Sequence, residues 1–146
     1  MLRRTEFWLY SWLWGTIMTL LGAIIFGVLR LFGYKPERNQ YGYVIIIGKP
    51  GWGGISFGPF SLVSPSAGQY TKDHEFGHAL QNCVFGPGMV FIGLASAARY
   101  QYREFLHRVK KVSYYDMPDY DSIWFEGQAT RWGEYYRKKG TENDLG

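Results

Sequence analysis

The sequence predicts an α+β chain. An N-terminal transmembrane helix is followed by a small domain in which a short antiparallel sheet or hairpin accompanies two facing helices. Three observations predict this arrangement. Residues 7–29 carry no charged side chain. Two β-patterned runs separated by Gly and Pro turns fill the stretch 43–63. Apolar residues then recur at helical spacing around residues 76–84, and a capped stretch, 123–139, ends in Arg137, Lys138 and Lys139 before Gly140.

The first observation gives the membrane anchor. A span needs about 20 apolar residues at about 1.5 Å of rise each, and the run 7–29 is long enough. Trp8, Trp12 and Trp14 crowd its start, where amphipathic rings settle at a bilayer interface. Arg3 and Arg4 precede the run, and Arg30, Lys35 and Arg38 follow it, so charge does not choose its orientation. The run is too long for a cleaved signal peptide and has no small-residue exit behind it. A helix apolar on every side is also hard to hide in so small a domain. Residues 1–32 are therefore read as an anchor, 33–140 as one domain and 141–146 as a frayed tail. The expected location is the membrane, with a single pass and a second, partly inserted helix.

Bulk composition narrows the partners. The chain has 146 residues, a net charge of +4, six Trp and twelve Tyr, enough for one modest core. No basic stripe is interleaved with aromatic rings, which argues against nucleic acid and leaves the charge to flank membrane lipid. The lone Cys83 excludes an intrachain disulfide and a Cys-rich zinc site.

Along the chain, residues 33–40 form a polar linker. The β-branched run 43–47 is a strand closed by Gly48, Pro50 and Gly51. In 52–63, Ile55, Phe57, Phe60 and Leu62 alternate around Gly58-Pro59, which reads as an edge strand bent at the Pro. The next helix opens at Tyr70 or Thr71, with Asp73 in its first turn to suit the dipole. Phe76, Leu80, Cys83 and Val84 make an apolar stripe, and His74, His78 and Gln81 lie opposite, as on a helix facing both a core and a cleft. Gly86-Pro87-Gly88 ends it. The apolar run 89–98 is too short to span unaided; Gly93, Ala95, Ser96 and Ala97 would allow it to pack closely on the first helix. Residues 114–121 form an acidic, aromatic loop whose carboxylate spacing does not fit a calcium site. Ser122 or Asp121 caps the last helix, 123–139, and Gly140 stops it.

The chemistry concentrates at His74-Glu75-Phe76-Gly77-His78. Residues one helical turn apart share a face, so both imidazoles can hold one metal ion. Glu75 sits about 100° round the helix, placed to accept a proton from metal-bound water. A hydrolytic zinc site needs a third protein ligand. Only His107 remains among the histidines, and it sits in a basic stretch where solvation is its default. Glu126 is the best carboxylate, because Ala129, Thr130 and Gly133 on its face let its helix approach the motif helix. Glu104 and Glu134 lie in charged, solvated surroundings.

These residues carry a resemblance. HEFGH followed by Phe125-Glu126-Gly127-Gln128-Ala129 resembles the integral-membrane gluzincin peptidases of the CAAX-prenyl-protease and heat-shock membrane-peptidase type. The motif with Gln81 and Gly86-Pro87 is also similar to small bacterial membrane proteins with H-E-(F/Y)-G-H-x-x-Q. The resemblance implies a zincin-like domain, Zn2+ held by His74, His78 and Glu126, Glu75 as general base, and a polypeptide substrate. It also implies an edge strand above the metal helix to pair with that substrate. The acid that follows Ala in the family is Thr130 here, a hydroxyl still able to orient a ligand. An oxyanion donor is expected among Tyr114, Tyr115, Tyr120, Tyr135 and His107. The rival expectation is a catalytically inactive membrane protein that keeps the metal for folding or partner binding. Substrate identity and oligomeric state are left open by the sequence.

Overall fold

The computed structural model describes residues 1–144. Among them are five α-helices and one four-stranded sheet, so the chain is α+β.

The charge-free run is not one helix. It divides into α1 (Arg4–Leu13) and α2 (Thr16–Leu31), whose axes meet at 99°. The corner is built from polar atoms that an apolar pattern conceals. Thr19 Oγ1 donates back to Ser11 O at 2.8 Å, and Asn82 Nδ2 reaches Gly15 O at 3.3 Å and Thr19 Oγ1 at 3.2 Å. A Cβ at Gly15 would lie 2.2 Å from Asn82 Nδ2, so the corner needs Gly there. Nor does α1 stand apart from the rest. Phe7 is fully buried in one core with Phe76, Ala79, Leu80 and Cys83, and Trp8 packs beside it.

The sheet is mixed, which corrects the antiparallel expectation. Strands β1 (Glu37–Asn39), β2 (Gly42–Ile46), β3 (Gly54–Phe57) and β4 (Phe60–Val63) lie in the order β1-β2-β4-β3. β2 and β4 run parallel, and the other two pairs are antiparallel. Gly58 takes φ +60° in the turn at Gly58-Pro59, a region open to Gly. That turn folds 52–63 into a hairpin instead of one bent strand. β3 goes to the edge, and β4 returns to lie between β3 and β2.

α3 (Gln69–Phe85) and α5 (Trp124–Asp144) form the central pair. They cross antiparallel at small residues. A Cβ on Gly77 would meet Ala129 O at 1.8 Å, and one on Gly133 would meet Asp73 O at 1.8 Å. α3 starts earlier than expected, so Asp73 falls beyond its first turn. Its carboxylate is buried and accepts from Gln69 at 2.8 Å and from Arg137 at 2.5 Å. It ties α3 to α5 and does not serve the dipole. α5 continues through Gly140 to Asp144, past the expected stop. Of the expected tail, 145 and 146 lie outside the described residues.

α4 (Met89–Arg108) follows a short 3-10 turn at Gly86–Gly88. By length and composition the helical run Gln69–Arg108 is long and apolar enough to cross a membrane. It is not a straight rod, however. Eighteen residues of straight helix would separate His78 from Ser96 by about 27 Å, yet both reach Glu126. The chain therefore turns back at Gly86, and α4 brings Ser96 to Glu126. Trp14 lies over that turn and donates to Val84 O at 3.0 Å.

Candidate metal centre

The α3–α5 crossing places three donors together. His74 and His78, one turn apart on α3, present Nε2 to Glu126 Oε2 at 3.1 and 3.2 Å. All three residues are buried, and their donor atoms lie within 4.8 Å of one another. Ligand atoms at about 2.0–2.1 Å from a tetrahedral metal sit roughly 3.3 Å apart, so the spacing suits one small ion. The triad is a site able to hold a metal ion.

Hydrogen bonds behind the triad set the imidazole tautomers. Gln81 Nε2 donates to Phe125 O at 2.7 Å and to Gln128 Oε1 at 3.0 Å. Its carbonyl Oε1 therefore faces His78, and His78 Nδ1–H donates to it at 2.8 Å. Thr130 Oγ1 spends its one proton on Asp121 Oδ2 at 2.8 Å and so accepts from His74 Nδ1–H, also at 2.8 Å. Each neutral imidazole carries one proton. Both Nε2 lone pairs consequently point bare at a carboxylate, a cluster that calls for a cation at its centre.

Electrostatics agree with this reading. Burial alone would depress His78, but the Glu126 hydrogen bond and the Glu75 and Glu126 charges outweigh it and hold its pKa above the usual imidazole value. Burial would raise Glu126, yet its contacts with His74 and His78 and the hydrogen bond from Ser96 carry it well below the ordinary carboxylate range. The Ser96 contact comes from α4: its Oγ donates to Glu126 Oε1 at 2.5 Å and leaves Oε2 for the histidines.

Glu75 points into the same region from α3. Its carboxylate is buried and Oε2 has no hydrogen-bond partner. Burial pushes its pKa up, His78 and His74 pull it down, and Glu126 adds to the rise. An unpartnered buried carboxylate is costly unless something not yet bound completes it. A water or substrate polarised by a metal on the triad would do so. Beside it runs the edge strand: a Cβ on Gly54 would lie 2.6 Å from Glu75 Oε1. Ser64 N donates to Gly53 O at 2.8 Å, so by antiparallel alternation the amide groups of Gly54 and Ser56 face the open edge.

Of the five oxyanion candidates, Tyr120 is the one brought to the triad. Its ring centroid lies 6.2 Å from that of His74, and its hydroxyl meets Ser96 Oγ at 3.1 Å. Burial pushes its pKa up to about 12, partly offset by the Ser96 bond. Tyr114 stacks on His107 at 4.0 Å and bonds Glu104. His107 Nδ1 meets Val112 O at 3.1 Å. Tyr115 is 99% exposed, and Tyr135 packs edge-on against Tyr136. None of these partners belongs to the triad. Sequence reasoning missed Ser96, which it read only as a small packing residue. A hydroxyl in the apolar run 89–98 was the available signal.

No family model, curated protein or solved structure matches the chain.

Proposed function

We propose that the chain is a membrane-seated, zinc-dependent peptidase of gluzincin type. The observation that supports it most is the orphaned Glu75 carboxylate beside three converging ligand atoms. His74, His78 and Glu126 would hold the zinc. When bound, zinc supplies a Lewis acid that brings the pKa of a coordinated water to about 7. Glu75 Oε2 takes the proton from the attacking water and delivers it to the leaving amine nitrogen. An extended substrate lies along β3, its backbone paired with Gly54 and Ser56 so that the scissile carbonyl passes Glu75. Tyr120 stays protonated at neutral pH and turns its hydroxyl from Ser96 to the developing oxyanion.

The membrane reading draws on a different observation. Ile17, Leu20, Leu21, Ile24, Val28 and Leu31 form an exposed stripe on α2, with Trp12 and Trp14 exposed at the corner. α2 has 16 residues and rises about 24 Å, less than the roughly 30 Å of a hydrocarbon core. With α1 leaving at a right angle, partial insertion suits this pair better than a full pass. Flotation with phosphatidylcholine–phosphatidylglycerol vesicles tests it: the chain should float, and Leu20→Glu with Ile24→Glu should leave it in the pellet fraction. A wild-type chain that does not float rules out the membrane seat.

For catalysis, zinc content and cleavage of a quenched-fluorescent peptide library are measured together on wild type and Glu75→Gln. Glu75→Gln should keep its zinc and lose at least about a hundredfold in turnover. Equal turnover in both proteins would sink the peptidase reading and favour a non-catalytic metal site.

A further inference from the structure

We propose that Asp121 is the carboxylate that orients His74 for the metal, acting through the Thr130 hydroxyl. This inference rests on the metal centre proposed above. Four contacts carry it. His74 Nδ1 meets Thr130 Oγ1 at 2.8 Å, and Thr130 Oγ1 donates to Asp121 Oδ2 at 2.8 Å. The same Oδ2 accepts the Tyr70 hydroxyl at 2.7 Å, and Arg99 holds the loop before α5 by bonding Asp119 O at 2.8 Å.

The chemistry follows from proton inventory. A carboxylate only accepts, and a threonine hydroxyl has one proton to give. With that proton fixed on Asp121, Thr130 offers His74 only lone pairs. His74 must then carry its proton on Nδ1 and keep Nε2 for the ion. Without Asp121 the hydroxyl could turn and donate to Nδ1, which would select the tautomer that cannot bind through Nε2. Partners of this kind behind a metal-bound histidine are worth about 10–100-fold in affinity. Asp121 is thus a positioning residue. It comes from the loop preceding α5, whereas Thr130 and Glu126 lie on α5 itself.

The test measures zinc affinity of the full chain by chelator competition, with folding followed by circular dichroism. Asp121→Ala and Thr130→Val should each weaken zinc about 10–100-fold. The double variant should be no weaker than the worse single variant, because both cut one chain of bonds. Thr130→Ser, which keeps the hydroxyl, should stay near wild type. Thr130→Val preserves side-chain shape and covers the case in which Asp121→Ala fails to fold. Long-range 15N–1H spectra of metal-free wild type should show the His74 proton on Nδ1, and Thr130→Val should blur that signature.

Zinc that is lost with His74→Ala but indifferent to folded Asp121→Ala and Thr130→Val overturns the relay and leaves the metal centre standing. Losses that add fully in the double variant also overturn it. A wild-type chain that takes up no zinc overturns both.

Discussion

At Glu75 stability and chemistry oppose each other. Burial raises its pKa, so its charged form is the expensive one, and Oε2 has nothing to bond. Glu75→Gln removes that charge and should raise stability by about 1 kcal/mol, a shift of roughly 2–4 °C in melting temperature, with zinc unchanged. A lower melting temperature would mean that the carboxylate is satisfied in solution. The histidines set the pH response. A raised His78 pKa means its proton competes with the metal at higher pH than an ordinary imidazole would. Zinc affinity should therefore fall as pH falls, beginning above about 6.5, as chelator competition across pH would report. In the metal-free protein Glu126 acts in the opposite sense from Glu75. Its lowered pKa contributes stability that is present above the ordinary carboxylate value and lost as pH falls below it.

At the scale of elements, the α3–α5 crossing decides whether the ligands meet. Glu126 is short, so the helix axes must come close, and backbone touches backbone at Gly77 and Gly133. Gly77→Ala or Gly133→Ala would force the helices apart. Each should cost about 3 kcal/mol by overpacking, read from urea unfolding, and weaken zinc because Glu126 retreats with its helix. Gly140 provides the control on the same helix. It is exposed and no atom lies near its missing Cβ, so Gly140→Ala should stabilise by up to about 1 kcal/mol. If all three behave alike, close approach is not what these glycines provide. α4 reaches the site through one side chain, since Ser96 bonds both Glu126 and Tyr120.

For the whole molecule, the N-terminal segment and the α3–α5 pair share one core. Phe7 packs at 5.5 Å from Phe76 between ring centroids, and Asn82 of α3 fills the α1–α2 corner. Residues 1–32 therefore cannot be removed as an inert anchor. A chain starting at residue 33 should lose cooperative thermal unfolding, with the apolar face of α3 exposed; a sharp melt in that truncation would show the two parts to be separable. The same contacts join α2, which carries the apolar stripe, to α3, which carries two of the candidate metal-binding side chains.

Sequence alone determined the local geometry. Two histidines four apart on a helix share a face whatever surrounds them, and the 3.6-residue period alone set the apolar stripe of Phe76 and Leu80 against them. The Ala129, Thr130 and Gly133 spacing marked Glu126 as the carboxylate whose helix could come close, and its Oε2 lies 3.1 and 3.2 Å from the two imidazoles. Tertiary structure decided what no period encodes. The break at Gly15 depends on Asn82, far along the chain. The parallel pairing of β2 with β4 depends on which edge the hairpin reaches. The Asp121–Thr130–His74 line depends on a loop folding against a helix end. Periodicity fixes the direction a side chain faces, and only the close approach of distant segments fixes which polar atom receives its proton.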